Sequence, residues 1–264
     1  MYDLMPIGKV QSAVTQSRDM PLQGVPAVIR VFDEFLEGLT GIDSDTHINV
    51  IGWLDKAHRA PLMVRPRKIN PQLERRGVFS LRSPTRPNPL SLTPTRLVKV
   101  DGALLYVEPL DLIDGSPVVD IKPYSAGWDN IFWARDVHSG YITQYMAEPD
   151  VLAQLLREAF NFHGEKCAAI AVSAKIAYDA TQTLEASMRD IFLRLPRNVH
   201  PHLADGLVGV SRATLGNARL TFSDDPDIRI LTAARSVSYL VFDVPDLDAH
   251  HVLRMRSDQL FSKR

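Results

Sequence analysis

The sequence predicts a mainly β N-terminal domain over residues 1–140, a small barrel or sandwich, joined to an α+β C-terminal domain over residues 148–264. Three observations carry this reading. Short segments rich in Val, Ile, Leu, Thr and aromatics crowd residues 4–124, punctuated by Gly, Pro and Asp. Many short strands at such close spacing belong to small closed or layered β structures. Beyond GWDNIFWARD the pattern changes to helical spacing and Ala-rich runs, with no low-complexity linker or repeat, so two closely packed domains meeting near residues 140–150 are expected.

Taken in order, IGKVQSAV, THINVIGWL, PLMVRP, GVFSL, LTPTRLVKV, ALLYVEPL and PVVDIKPY read as strands. Asp101-Gly102 lies between the apolar runs RLVKV and ALLYV and predicts a type I′ hairpin turn. One helix is expected among the strands: AVIRVFDEFLEGL places Val28, Val31, Phe32, Phe35 and Leu39 on one face, with Gly41 as its stop. In the second half, EPDVLAQLLREAFNF spaces Leu152, Leu155, Leu156 and Ala159 as an amphipathic helix. The run CAAIAVSAKIAYDATQTLEASMRDIFLRL is helical in character. ARLTF, IRIL and SYLVFDV return to strand, and LDAHHVLRMRSDQLF to helix.

At 264 residues and 45% apolar, the chain can bury a sizeable core in each domain. The formal net charge of −1 supplies no global positive field for nucleic acid, although a local patch would suffice. One cysteine, Cys167, rules out an internal disulfide framework and fits a reducing compartment. No basic segment followed by a long apolar stretch opens the chain, and no run of about 18 apolar residues occurs, so a cytoplasmic protein with no membrane partner is expected.

The absent motifs narrow the chemistry. There is no GxGxxG after a strand, no GxxxxGK[ST], no GxSxG and no CxxC. What stands out instead is SPTRPNPLSL at 83–92, where Pro84, Pro87 and Pro89 stiffen a loop carrying Arg86 and Asn88. It reads either as a rigid crossover or as a preorganised ligand wall. Asp111, Asp114 and Asp120 fall within ten residues of one another. They could bind hydroxyls, a cationic ligand or a metal, or Asp114-Gly115-Ser116-Pro117 could be a polar turn. His47 reads as a hydrogen-bonded histidine of an apolar strand. His200 and His202 flank Pro201 in an apparent loop, and His250-His251 sits in the last helix; both pairs are expected to be solvated.

Read in order, MPLQG, THINVIGWL, GVFSLRSPTRPNPLSLTPTRLVKV and LDLIDGSPVVDIKPY resemble the TsaA-like, or TrmO, family of S-adenosylmethionine-dependent tRNA methyltransferases, over about residues 5–130. That family's pattern runs as a PRQ element, an SH-initiated strand, GVFATRSPFRPNPIGLS and LDLLDGTPVLDIKPY. The resemblance implies a small, non-Rossmann β-barrel that binds S-adenosylmethionine, a homodimer, and methylation of N6 of threonylcarbamoyladenosine beside the tRNA anticodon. It places Pro21, Leu22, Gln23, Arg82, Leu92, Asp111, Leu112, Ile113 and Asp114 around the cofactor. Arg86, Asn88, Lys122 and Tyr124 fall to the substrate side or to bracing the pocket, with Asp114 and Tyr124 as catalytic candidates.

Three positions depart from the pattern. Leu22 replaces the arginine of the PRQ element, Ser91 the glycine of RPNPIG, and Asp55-Lys56 a histidine-containing pair after the SH strand. Losing an arginine removes a bidentate donor for phosphate or carboxylate. Two alternatives therefore stand beside the tRNA methyltransferase: a module that binds S-adenosylmethionine to sense methyl-donor status, and a methyltransferase acting on a small molecule.

In the second half, FNFHGEKCAAIAVSAKIAYDAT, ATLGNARLTF and LRMRSDQLF resemble FmdE-like domains, which commonly bind metal, over about residues 150–262. The resemblance implies a metal at His163 and Cys167, completed by Glu165 or a further histidine. Glu165, Ala168-Ala169 and Ala213 replace the second histidine, the Pro-Gly and a further cysteine of that pattern, so a degenerate domain used for packing, dimerisation or RNA contact is the competing reading.

Overall fold

A computed structural model describes residues 3–57, 59, 61–66, 68, 72–132, 134 and 146–264. It divides into two compact units, Met1–Ile131 and Phe132–Arg264. The expected boundary at residues 140–150 falls largely on 135–145, outside the described residues. Among the described residues no helix is long and apolar enough to cross a membrane.

The first unit is a closed barrel of six strands: β1 (Gly8–Ser12), β2 (Val25–Val31), β3 (His47–Trp53), β6 (Leu90–Asp101), β7 (Leu104–Leu110) and β8 (Pro117–Pro123). They close in the order β1-β2-β7-β6-β3-β8, each neighbour antiparallel. The short pair β4 (Met63–Val64) and β5 (Arg76–Gly77) lies outside the barrel. Alternation drives closure: β3 buries Ile48, Val50 and Gly52 and leaves the intervening residues half-exposed. Ile29, Ile48, Val50, Leu105, Leu110, Leu112 and Val118 fill the interior.

Three local readings are corrected here. The segment expected to be one helix from Ala27 to Leu39 is strand to Val31, and only Asp33–Leu39 turns as a 3-10 helix. Val25–Val31 buries Ala27, Ile29 and Val31, a period of two that the overlapping helical spacing concealed. GVFSL is not a strand beyond Gly77, because Val78–Ser80 forms a single 3-10 turn. The β6-β7 hairpin pairs Asp101 with Leu104, so its two turn residues are Gly102 and Ala103, not Asp101 and Gly102. Only Gly102 of that pair has positive φ, which departs from the type I′ turn that needs it at both positions.

The second unit carries a five-stranded sheet of order β10-β9-β11-β12-β13, built from β9 (Phe192–Pro196), β10 (Leu220–Ser223), β11 (Ile228–Leu231), β12 (Ser236–Val241) and β13 (Phe261–Lys263). After the short α1 (Ala126–Asp129) of the barrel unit, its helices among the described residues are α2 (Glu148–His163), α3 (Ala168–Leu184), α4 (Pro201–Ser211) and α5 (Ala249–Arg254). α3 is buried on nearly every side, which its alanines permit. α4 approaches closely through Gly206 and Gly209: a Cβ at Gly206 would fall 2.6 Å from Ser173 Cβ, and one at Gly209 2.8 Å from Phe162 Cβ. Two expected helices end sooner than their composition suggests. IFLRL leaves the helical run to form β9, whose Leu193 and Leu195 are fully buried, and the tail returns to strand at Phe261.

Candidate functional site

One rim of the barrel gathers the C-terminal ends of β1, β3 and β7 and the N-terminal ends of β2, β6 and β8. The loops entering and leaving that rim carry MPLQG, SPTRPNPLSL and LDLIDG, so the topology brings together three motifs that lie up to ninety residues apart in sequence.

A continuous line of contacts runs along the rim. Gly24 closes the turn after Pro21 by donating to the Pro21 carbonyl at 3.0 Å, with φ at +75°. A Cβ there would lie 2.8 Å from the Leu110 carbonyl, so glycine is what lets the Pro21-Leu22-Gln23 turn sit against the Leu110–Asp111 backbone. Asp111 in turn accepts the Thr93 hydroxyl at 2.5 Å. Arg82 donates to the Leu92 carbonyl one residue away, joining the proline-rich loop to the same edge. Leu22 and Leu92 are exposed beside these polar groups.

Lys68 completes the line, a residue the motif reading overlooked. Its ammonium donates to the Met20 carbonyl, with the Ser17 carbonyl at 3.4 Å. Burial pulls its pKa down, opposed by the carboxylates of Asp111 and Asp19. A sequence signal existed: residues 56–86 hold nine Lys and Arg against one acidic residue, Glu74, a local basic excess hidden in the near-zero total. Phe79, 82% exposed, lies in the same segment.

The three aspartates do not form one cluster. Asp111 binds Thr93, Asp114 accepts the Ser12 N–H at 3.1 Å, and Asp120 pairs with Lys122 at 3.1 Å. Asp114 and Gly115, with φ at +77°, do form the polar turn into β8, so the turn reading accounts for part of that motif. Leu112 belongs to the barrel core and packs over Gly52, so only its main chain can meet a ligand; Ile113 beside it is half-buried. Ser91, one of the departures, accepts the Gly52 N–H at 3.1 Å.

Arg86 turns inward: Nη2 donates to the Val78 carbonyl at 2.8 Å and the Leu81 carbonyl at 2.7 Å. It braces its own loop, while Asn88 at the tip is exposed and uses its carbonyl to accept the Leu90 N–H. Lys122 and Tyr124 end β8 at the opposite rim, where Tyr124 lies beside His47 with ring centroids 6.2 Å apart. At about 3.3 Å per strand residue, Tyr124 is roughly 20 Å from the rim that holds Asp111. Within one chain the structure does not bring these two residues to the others. His47 is half-buried, bonded to Thr46 Oγ1 at 3.0 Å, and its pKa is lowered by burial and by Arg96.

The profile of the tRNA-methyltransferase O N-terminal domain matches residues 9–130. An S-adenosyl-L-methionine-binding protein of Archaeoglobus fulgidus is 44% identical over 126 residues, which cover 46% of this chain and 88% of that protein. The chain belongs to the TrmO/TsaA-like family. A second Archaeoglobus fulgidus relative of the TrmO/TsaA-like chain, a probable S-adenosyl-L-methionine-binding protein, is 35% identical over 234 residues, covering 85% of this chain. The chain spans 62% of that relative's length. The human tRNA (adenine(37)-N6)-methyltransferase is 33% identical over 138 residues, 47% of this chain and 30% of the human protein. The rim described above lies within the TrmO profile, and the second unit lies outside it.

In that second unit the residues singled out from sequence do meet, with an addition. His163 ends α2, Cys167 caps α3, and His202 stands in the first turn of α4, so His202 is not the solvated loop residue its flanking proline suggested. One ligating atom from each lies within 4.8 Å of the other two. Glu165 is exposed and outside that group. His250 and His251 are exposed on α5.

Proposed function

We propose that the chain binds S-adenosylmethionine at the Asp111 rim and methylates N6 of threonylcarbamoyladenosine in tRNA. The observation that carries the reading is the convergence of the Pro21–Gln23 turn, Asp111 with Thr93, and Leu92 with Arg82 along one edge, inside a TrmO-family barrel. Its relatives are named for binding S-adenosylmethionine and for methylating a tRNA adenine.

The residues fit such a ligand. An exposed carboxylate accepts hydrogen bonds from ribose hydroxyls or an amine, and Leu22 and Leu92 offer apolar surface to a purine. Bound S-adenosylmethionine supplies an electrophilic methyl group on a sulfonium. The protein's part is to hold the nucleophilic nitrogen in line with the S–CH₃ bond and keep water away. As the N–C bond forms, the C–S electron pair stays on sulfur and the nitrogen's proton must leave to a base or a water. The carboxylate proposed to accept it is Asp114, which is exposed at the same rim with one oxygen on the Ser12 N–H.

The basic stretch 56–86 supports tRNA as the substrate, since phosphate neutralisation needs a local and not a global excess of charge. A homodimer remains part of the proposal, because it would offer a second Lys122 and Tyr124. Calorimetric titration of S-adenosylmethionine, run beside tRNA binding at several salt concentrations, tests the reading. Cofactor binding with RNA affinity that falls steeply with salt supports it. Cofactor binding with no salt-dependent RNA affinity would transfer the assignment to a sensor or a small-molecule methyltransferase.

A further inference from the structure

We propose that Lys68 holds the α-carboxylate of S-adenosylmethionine while Asp111 takes its α-ammonium, so that Lys68 supplies the cation that the Pro21-Leu22-Gln23 turn lacks at position 22. The inference rests on the cofactor reading of the rim and adds to it the way the ligand's amino-acid end is held.

The sequence leaves a charge to be replaced. Leu22 stands where the resemblance has arginine, so the turn packed on the Leu110–Asp111 backbone carries no cation of its own. The amino-acid end of the cofactor is a zwitterion, and its carboxylate needs a charged donor once water is displaced. Arg18, in the segment leading into the turn, is exposed and shares its charge with Asp19 at 3.7 Å. Arg86 braces its own loop, and Arg82 donates to the Leu92 carbonyl. Lys68 differs from all three, because its ammonium donates to the carbonyl of Met20, the residue just before Pro21, with the Ser17 carbonyl at 3.4 Å.

That placement leaves the charge available. A lysine ammonium has three N–H donors. Two face the Ser17 and Met20 carbonyls, which leaves one for a ligand, and the residue is exposed. The Asp111 carboxylate raises the Lys68 pKa against the lowering by burial, so the two opposite charges act on each other along this edge. Their hydrogen bonds nevertheless go to neutral groups, the carbonyls for Lys68 and the Thr93 hydroxyl for Asp111. A cation and an anion fixed in this way complement a carboxylate and an ammonium carried on one carbon. The carbonyl bonds also hold a long side chain in place before the ligand arrives, which lowers the ordering cost of binding.

The threonyl group of the modified adenosine carries a carboxylate too. Its nitrogen is acylated, however, and offers Asp111 no ammonium. The paired charges therefore favour the cofactor.

The test is calorimetric titration of the whole chain with S-adenosylmethionine and with decarboxylated S-adenosylmethionine, which keeps the sulfonium and the ammonium. The native chain should bind the decarboxylated compound roughly ten- to a hundredfold more weakly, the worth of one charge-assisted hydrogen bond. Lys68→Met should lose the same factor for S-adenosylmethionine and bind the two ligands within about twofold of each other, as a cycle on one shared contact requires. Lys68→Arg, or Leu22→Arg placed in the Lys68→Met chain, should recover most of the loss by restoring the charge. A merely structural Lys68, tying residues 17–20 to the basic segment, would instead cost both ligands equally. That outcome overturns the proposal, as does unchanged S-adenosylmethionine affinity in Lys68→Met with weaker binding of modified tRNA, which would give the carboxylate to the substrate. Should Lys68→Met fail to fold, equal binding of the two compounds by the native chain is sufficient to overturn it. A native chain that binds neither compound would instead refute the cofactor reading itself, and this proposal with it.

Discussion

Thr93 donates its hydroxyl to Asp111 at 2.5 Å, tying the first residues of β6 to the segment that leaves β7. The bond fixes one carboxylate oxygen and presents an anion at the rim, where the Pro21–Gln23 turn and Lys68 also converge. If Asp111 receives hydroxyls or an amine of S-adenosylmethionine, its charge matters more than its shape. Asp111→Asn keeps the volume and an acceptor for Thr93, yet should weaken cofactor binding by about ten- to a hundredfold, the worth of a charge-assisted hydrogen bond. Calorimetry reads the affinity and a thermal melt shows that the barrel is intact; unchanged affinity would remove Asp111 from the site.

Arg86 makes a different prediction from the one its motif suggests. Because Nη2 donates to both Val78 and Leu81, Arg86→Ala frees two carbonyls and loosens the proline-rich loop. A loss of about 1–3 kcal/mol in unfolding free energy is expected alongside weaker turnover. Lysine cannot reproduce the planar fork and should rescue little. Denaturant melts of the two variants decide it, and a native melting profile for Arg86→Ala would show that the brace carries no stability.

Phe79 stands exposed among arginines on the basic segment. An aromatic so placed can stack an unpaired base. Phe79→Ala should weaken tRNA binding by about 1–3 kcal/mol while leaving S-adenosylmethionine affinity alone. Filter binding and calorimetry on the same preparation separate the two, and equal RNA affinity for both proteins would exclude the stacking role.

Lys122 and Tyr124 occupy the rim opposite Asp111. Lys122→Ala and Tyr124→Phe should therefore leave cofactor affinity within about twofold of the native chain, since surface changes away from a site seldom exceed 0.5 kcal/mol. A tenfold loss on either substitution would mean that their rim reaches the cofactor, as it could through a second copy of the chain.

Much of this architecture was legible in residue pattern. The β-branched and apolar content of THINVIGWL and PVVDIKPY, and the 3.6 spacing of Leu152, Leu155, Leu156 and Ala159, correspond to β3, β8 and α2. Reading failed where two periods overlap or where a helix-rich run hides a strand. Residues 27–39 carry both a strand alternation and a plausible helical face, and barrel closure, a long-range effect, selects the strand to Val31. IFLRL follows an alanine-rich helix, yet pairing with β10 and β11 takes it into the sheet.

The site was legible by motif but not by mutual placement. No local spacing could show that Lys122 and Tyr124 would end β8 far from Asp111, or that Arg86 would bond its own loop. Lys68 and His202 were missed for a similar reason: each gains its neighbours only through chain segments distant in sequence, Met20 for one and Cys167 for the other.

The most direct measurement of the central claim is transfer of labelled methyl from S-adenosylmethionine to tRNA bearing threonylcarbamoyladenosine, beside the same tRNA lacking that modification, with the product nucleoside identified after digestion. The account predicts label on N6 of the modified adenosine and none on the unmodified tRNA. Calorimetric binding of S-adenosylmethionine with no transfer to either tRNA would contradict it, and would leave the rim as a cofactor-binding surface serving another substrate or none.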